Sequence, residues 1–113
     1  MMSAPNSWKI QFSQEINKAE SARSLGNEGM ARVCSRRAAG IVIGEYFRQR
    51  GITEIDPSVY NRLRRLRELP GLDQEVRAVV EHFLLRITPD KLLPIEADLI
   101  AEAHWLAKKL LEK

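Results

Sequence analysis

Residues 27–51 read NEGMARVCSRRAAGIVIGEYFRQRG, and this stretch decides the fold. It has no proline and enough helix-forming residues to run as one helix of about six turns. Gly51, its last residue, is the residue type that most easily adopts the left-handed conformation that ends a helix. At about 100° per residue, one broad arc of this helix is apolar, and it contains Met30, Ala31, Cys34, Ala38, Ile41, Val42 and Tyr46.

A second flank of the same helix carries Val33, Gly40 and Gly44. Because glycine has no side chain, Gly40 and Gly44 allow another helix to approach closely. A helix that is apolar on two sides belongs in the middle of a bundle rather than on its surface. We therefore expect residues 27–51 to form the central helix of the fold.

Three charged residues interrupt the apolar surface of this helix. Glu45 falls in the middle of the apolar arc, and Arg37 and Arg48 lie at its edge. A buried carboxylate must be paired, hydrogen-bonded or protonated, because burying it alone costs about several kcal/mol. The three residues are therefore predicted to be a buried polar group. In it, Glu45 pairs with Arg48 one turn further along the helix or with a basic residue from another helix. There are two alternatives: Glu45 belongs to a polar binding or catalytic site in a groove, or it is simply exposed to solvent.

Length and composition describe an ordinary folded protein of one domain, spanning residues 1–113. The chain is 44% hydrophobic and 29% charged, which is typical of a globular protein rather than a disordered one. The longest uncharged run after the N-terminus, residues 38–44, is far too short to span a membrane. The first eight residues lack the basic start and apolar core of a secretory signal, so a cytoplasmic location is expected.

Residues that carry metal or nucleophile chemistry are scarce in this chain. Cys34 is the one cysteine, and His82 and His104 are the two histidines. An internal disulfide and a cysteine zinc site are therefore excluded, and no HExxH pattern, phosphate-binding glycine loop or serine nucleophile motif is present. We predict no metal site and no cofactor, with Cys34 as a buried, inert thiol.

Arginine dominates the positive charge and is concentrated in one part of the chain. Of the 18 basic residues twelve are arginine, and residues 28–70 contain nine arginines against five acidic residues. This asymmetry indicates a face that could meet phosphate or an acidic partner. The predicted binding residues are Arg32 and Arg36 on the central helix and Arg62, Arg64, Arg65 and Arg67 on the helix that follows. A solvated surface is the alternative, and the lack of aromatic residues among the last four argues against base stacking.

Four further helices complete the predicted fold. Their expected bounds are Asn6 or Ser7 to about Leu25, Pro57 to about Glu68, Asp73 to about Ile87, and Pro94 to nearly Lys113. Asp56 with Pro57, Asp73 and Pro94 supply the start signals of the last three. No stretch alternates with period two. The prediction is an all-α, up-and-down bundle of about five helices.

One constellation suggests catalysis. Arg77 precedes His82 by five residues on the fourth helix. An imidazole and a guanidinium can together support metal-independent cleavage of RNA, the first by proton transfer and the second by stabilising charge on the phosphorus oxygens. On a regular helix, however, side chains five residues apart diverge by roughly 140°. They could meet at a bent helix end or across a symmetric dimer, and the alternative is that His82 is an ordinary surface residue.

A short polar turn, ARSLGNEG at residues 22–29, is followed by Ala31, Cys34, Ala38, Glu45, Tyr46, Phe47 and Gly51. This pattern resembles the start of a HEPN domain, a family of compact helical bundles. It implies a dimer, an association with nucleotides or RNA, and in many members a small nucleotidyltransferase as partner. The ribonuclease branch carries arginine, four to six residues and then histidine, which Arg77 and His82 match. That branch usually has a polar residue directly after the arginine, where this chain has Ala78.

Apolar side chains outside the main core faces also predict a homodimer. Trp105 and Leu85 are the predicted interface residues, with Ala78 beside them; a Trp105 that only covers the edge of the bundle is the alternative. Three functions remain open at this point: a binding module for nucleotide, RNA or a nucleotidyltransferase-type partner; a HEPN-like ribonuclease; and a structural helical protein without a nucleic-acid role.

Overall fold

The computed structural model describes residues 7–85 and 97–112. In that part of the chain it contains five α-helices and no strand, which confirms the predicted all-α class. The helices are α1 (Ser7–Ser24), α2 (Glu28–Gln49), α3 (Val59–Arg67), α4 (Gln74–Leu84) and α5 (Leu99–Leu110). Helix α2 packs against α1, α3 and α5, while α4 bridges α3 and α5. The prediction that α2 is the central helix is therefore confirmed.

Helices α1 and α2 form a hairpin with a tight turn. Gly26 has φ +78° in this turn, a conformation that costs glycine little. The side chain of Asn27 caps α2, because its oxygen accepts a hydrogen bond from the backbone N–H of Met30 at 3.0 Å. The apolar stripe of α1 faces inward, with Trp8, Phe12, Ile16, Ala19 and Ala22 all buried.

The end of α2 is set by Gly51, which has φ +76°. The N–H of Gly51 bonds to the carbonyl of Arg48 at 3.1 Å, and the N–H of Ile52 bonds to that of Phe47 at 3.0 Å. This pair of bonds is the Schellman motif, which satisfies carbonyls that the helix itself leaves unpaired. The chain then turns back along the bundle towards α3.

Two helices begin later than their sequence signals indicated. Helix α3 starts at Val59 with Ser58 as its cap, and not at Pro57, because Asp56 accepts from the N–H of Ser58 at 2.7 Å and holds that residue in an extended conformation. Helix α5 starts at Leu99, because the Asp98 side chain accepts from the backbone N–H groups of Ile100 and Ala101. Pro94 and Ile87, the expected ends of helices, lie outside the described residues.

Most of the predicted core is buried. Cys34 is 2% exposed and Ala31, Ala38 and Val42 are fully buried, whereas Met30, near the N-terminus of α2, is 45% exposed. Phe47, Leu63, Leu66, Val80, Phe83 and Leu106 complete the centre of the bundle. Along the described ranges, none of the helices has the length and apolar character needed to cross a membrane.

The glycine flank of α2 is the surface on which α3 packs. A Cβ atom on Gly40 would lie 2.9 Å from Cγ2 of Val59, and one on Gly44 would lie 2.7 Å from Nη1 of Arg62. Real Cβ atoms essentially never come so close to a neighbour, so the approach of Val59 depends on Gly40, whereas at Gly44 the flexible Arg62 side chain would have to move. The close helix contact expected from Gly40 and Gly44 is therefore present, and it positions Arg62 beside the backbone of α2.

Candidate functional site

A polar groove runs between α1 and α3 across the glycine flank of α2. It consists of two adjoining cavities of about 250 and 350 Å³. Both cavities share Gln11 of α1, Ile41 of α2 and Arg62 of α3 as lining residues. The larger cavity is completed by Gln14, Glu15, Arg37, Gly40, Pro57 and Val59. The groove thus combines an apolar floor with carboxamide, carboxylate and guanidinium groups.

Arg62 is held rigidly in this groove. Its Nε donates to the carbonyl of Asp56 at 2.6 Å and its Nη1 donates to the carbonyl of Gly40 at 2.8 Å. Burial lowers the pKa of the guanidinium, and the charge of Asp56 opposes that shift. Because arginine stays protonated in proteins, Arg62 places a fixed positive charge at the centre of the groove.

Glu45 lines the smaller cavity and is paired within its own helix. Its carboxylate accepts from Nε of Arg48 at 2.8 Å and from Nε2 of Gln49 at 2.9 Å. The hydrogen bond from Arg48 lowers the pKa of Glu45, which therefore stays ionised although its side chain is only 10% exposed. Arg37 and Arg48 differ from the prediction of a buried polar group, since both are exposed to solvent.

Glu15 contributes a second carboxylate to the groove wall. One of its oxygens, Oε1, accepts from Nζ of Lys18 at 3.3 Å. The other, Oε2, is buried and has no hydrogen-bond partner among the described residues. Native proteins leave few buried polar atoms unpaired, and the burial of this oxygen without a donor is locally destabilising.

Aromatic rings lie under several arginines at the α2–α3 end of the bundle. The guanidinium of Arg50 is 4.9 Å from the ring centre of Tyr46, and that of Arg64 is 6.0 Å from the ring centre of Tyr60. Arg65 lies 5.6 Å from the ring centre of Phe47 and donates to the carbonyl of Glu54. No aromatic residue interleaves with the four arginines of α3 in sequence, but Tyr60 lies beside Arg64 and the fully buried Phe47 of α2 lies beside Arg65.

The arginines of this region are mostly not neutralised by neighbouring acids. Among the described residues, only Arg48 and Arg67 of the nine arginines between Glu28 and Pro70 form ion pairs within 4 Å, with Glu45 and Glu81. We call Arg37, Arg50, Arg62, Arg64 and Arg65 the arginine face; they are exposed or half-buried and have no carboxylate partner within that distance in the described chain. Positive charge is therefore available to a ligand at several exposed positions of α2 and α3.

Arg36, one of the predicted binding residues, is instead part of the core. It is 7% exposed, and its guanidinium donates to the carbonyl of Phe83 at 3.0 Å and to that of Leu85 at 3.3 Å. It thereby satisfies carbonyls at the C-terminus of α4, where a positive charge also suits the helix dipole. Arg32 is half-buried near Glu28, whose pKa is lowered mainly by its hydrogen bond with Arg23 and to a lesser extent by Arg32.

The side chains of Arg77 and His82 contact different partners. Arg77 donates to the carbonyls of Arg67 at 3.2 Å and Leu69 at 3.4 Å, where α3 ends. His82 faces α5, and its Nδ1 lies 2.7 Å from Oε2 of Glu102. No hydrogen bond joins the two side chains within the monomer. The pair of residues matched in sequence therefore does not form one site in a single chain.

The predicted interface residues are less exposed than their helical positions suggested. Trp105 and Leu85 are half-buried; Trp105 packs on the edge of the core, with Nζ of Lys109 6.0 Å from its ring centre. Within residues 7–85 and 97–112, the exposed large apolar side chains lie elsewhere, and they are Ile10, Leu25, Met30 and Tyr60. Among the described residues no group of three metal-ligating side chains lies together.

The groove wall formed by α1 was not predicted from the sequence. Gln11, Gln14 and Glu15 flank the buried stripe of α1, and this position was the only available signal. Comparison of the chain with protein-family models, with curated proteins and with solved structures finds no match. The groove and the arginine face are therefore the features from which a function can be inferred.

Proposed function

We propose that this chain is a HEPN-like helical module that binds nucleotide or RNA through the arginine face and the adjoining groove. The observation that carries the proposal is the set of five arginines without carboxylate partners among the described residues. Guanidinium groups without carboxylate partners attract phosphate, and arginine binds it with paired hydrogen bonds. The exposed guanidinium groups of Arg50 and Arg64, each beside a tyrosine ring, support the same ligand class, because nucleobases stack on guanidinium and aromatic planes.

The geometry also separates ligand-binding arginines from structural ones. Backbone carbonyls accept hydrogen bonds from Arg36 and Arg77, and also from Arg62 and Arg65 of the arginine face. Arg48 and Arg67 pair with carboxylates. Arg37, by contrast, is exposed at the groove, while Arg64 bonds only to the Asn61 side chain within its own helix. These two arginines are therefore the natural positions for phosphate contacts.

The binding test compares removal of charge from the arginine face with removal of charge elsewhere on the protein. Replacing Arg37 and Arg64 together by glutamine is expected to weaken binding of a fluorescein-labelled, mixed-sequence single-stranded RNA by about tenfold or more, since two phosphate contacts are lost. The matched control replaces Lys9 and Lys108, which lie on α1 and α5 by another cavity, and should change affinity less than about threefold. Fluorescence anisotropy measures both. Equal losses in the two variants would contradict the assignment of the arginine face.

A partner chain is part of the proposal, either a second copy or a nucleotidyltransferase-type protein, as the family resemblance implies. Support comes from apolar side chains at the α1–α2 turn, where Leu25 is 85% exposed and Met30 45% exposed. For the homodimer we expect light scattering to give about twice the monomer mass of 12.9 kDa. A monomer mass that persists at high protein concentration would contradict it.

A metal-independent ribonuclease is the second candidate function, and the contact of His82 with Glu102 favours it. A carboxylate at 2.7 Å from Nδ1 orients an imidazole and leaves Nε2 for proton transfer. Arg77 would then act only across a dimer. In an RNA cleavage assay with EDTA, His82→Ala should lose at least about a hundredfold in rate, while His104→Ala, which changes the other histidine, keeps the wild-type rate. Equal cleavage by wild type and His82→Ala would rule out this function.

A further inference from the structure

Arg50, the C-cap residue of α2, is held differently from the other members of the arginine face. Its guanidinium lies 4.9 Å from the ring centre of Tyr46, about one turn earlier on the same helix. Arg62, Arg64 and Arg65 donate hydrogen bonds to neighbouring groups, whereas among the described residues the tyrosine ring is the one side-chain contact of the Arg50 guanidinium. Because Arg50 is also exposed, the ring orders the guanidinium while its N–H donors and its outer face stay open to a ligand.

The position of Arg50 at the end of α2 favours a base over a phosphate as the group that contacts it. The C-terminus of a helix carries a partial negative charge, which opposes an anion. A nucleobase is uncharged and stacks on guanidinium and aromatic planes without this penalty. Positive charge for a phosphate lies nearby, because the ring centres of Tyr46 and Phe47 are 6.3 Å apart and the guanidinium of Arg65 is 5.6 Å from that of Phe47. A surface for one base therefore adjoins a second guanidinium that can bind the phosphate of the same strand.

We propose that Arg50 and Tyr46 form a stacking site for one unpaired nucleobase, so that the protein selects single-stranded over double-stranded RNA. This inference rests on the proposed function and specifies the form of RNA that is bound. In a duplex the bases are stacked on one another, so their faces are closed to a side chain, whereas a single strand offers them. Phosphate contacts alone do not produce this selection, because the duplex has the higher density of charge and the stronger dependence on counterion release.

The test uses one labelled, mixed-sequence RNA, measured by fluorescence anisotropy as a single strand and annealed to its complement. Wild-type protein should bind the single strand about fivefold or more tightly than the duplex. Arg50→Lys keeps the charge and removes the planar group, so it should weaken single-strand binding by about fivefold or more and change duplex binding by less than about twofold. The matched control is Arg67→Lys: Arg67 pairs with Glu81 at 3.2 Å and lies outside the arginine face, so the preference for the single strand should remain.

Two further measurements separate stacking from the flexibility of a single strand. Tyr46→Leu removes the ring that holds Arg50 and should reduce the preference as Arg50→Lys does; because Tyr46 is half-buried, urea unfolding checks that this variant is folded. A strand with abasic residues in place of its bases keeps the phosphates, and Arg50→Lys should change its affinity by less than about twofold.

Three results would overturn this inference and leave the proposed function standing. They are equal binding of single strand and duplex by the wild type, a preference that survives Arg50→Lys, and a loss on the abasic strand as large as that on the strand with bases. If RNA binds in neither form, the inference and the proposed function both fail.

Discussion

Replacing Arg36 by alanine is expected to lower the free energy of unfolding by about 3 kcal/mol, because the core loses a charged hydrogen-bond donor and gains a cavity. The guanidinium of Arg36 is 7% exposed and satisfies the carbonyls of Phe83 and Leu85 at the end of α4. Without it these acceptors lose a charge-assisted hydrogen bond. The contact also ties α2 to α4, so the C-terminus of α4 should loosen first.

The neighbouring Arg37 provides a matched control for this prediction. It lies on the same helix and has the same chemistry, but it is exposed. Arg37→Ala should therefore change stability by no more than about 0.5 kcal/mol. Urea denaturation followed by circular dichroism measures both variants. Similar stabilities for the two would show that the buried hydrogen bonds of Arg36 add little to the fold.

Replacing Gly40 by leucine should have a comparable effect, with a loss of about 3 kcal/mol or more through overpacking. A Cβ alone would already lie 2.9 Å from Cγ2 and 3.3 Å from Cγ1 of Val59. The gain in helix propensity from removing a glycine is only about 1 kcal/mol, so it does not offset the clash. Helix α3 must then move away from α2, and the groove loses the wall that carries Arg62.

Gly29 is the control for this second prediction. It lies in the first turn of α2, and a Cβ there would meet only Oδ1 of Asn27, at 3.8 Å. Gly29→Leu is therefore expected to leave the midpoint of urea unfolding unchanged or to raise it slightly. Equal stability of Gly40→Leu and Gly29→Leu would contradict the close packing of α3 on α2.

The arrangement of helices in the bundle was predictable because it depends on the local periodicity of apolar residues and on the residues that start and end helices. The apolar arc of α2, its glycine flank and the cap at Asp73 are all visible in the sequence, and each has its expected place in the fold. The start of α3 was missed by two residues, because Asp56 and Ser58 are both good capping residues. Which of the two residues caps α3 depends on the hydrogen bonds that the segment between α2 and α3 makes in the folded protein.

The residues of the site were harder to predict, because their roles depend on contacts between distant segments. From the sequence alone, Arg36 would be assigned to the surface. In the fold it contacts the C-terminus of α4, 47 residues further along the chain. The sequence shows that Glu15 borders the buried stripe of α1. It does not show that Pro57, between α2 and α3, and helix α3 itself line the same cavity. Periodicity identifies which face of a helix is buried, and it does not identify which polar neighbour a second helix encloses.

The central claim, that unpaired arginines of α2 and α3 bind phosphate, is tested most directly by the salt dependence of RNA binding. Wild-type protein should bind a labelled single-stranded RNA at low ionic strength. The logarithm of the association constant should then fall linearly with the logarithm of salt concentration between about 50 and 200 mM. Each phosphate contact adds about −0.7 to the slope for single strands. Contacts from three or more arginines therefore predict a slope of about −2 or steeper, and undetectable binding at low salt, or a slope near zero, would contradict the claim.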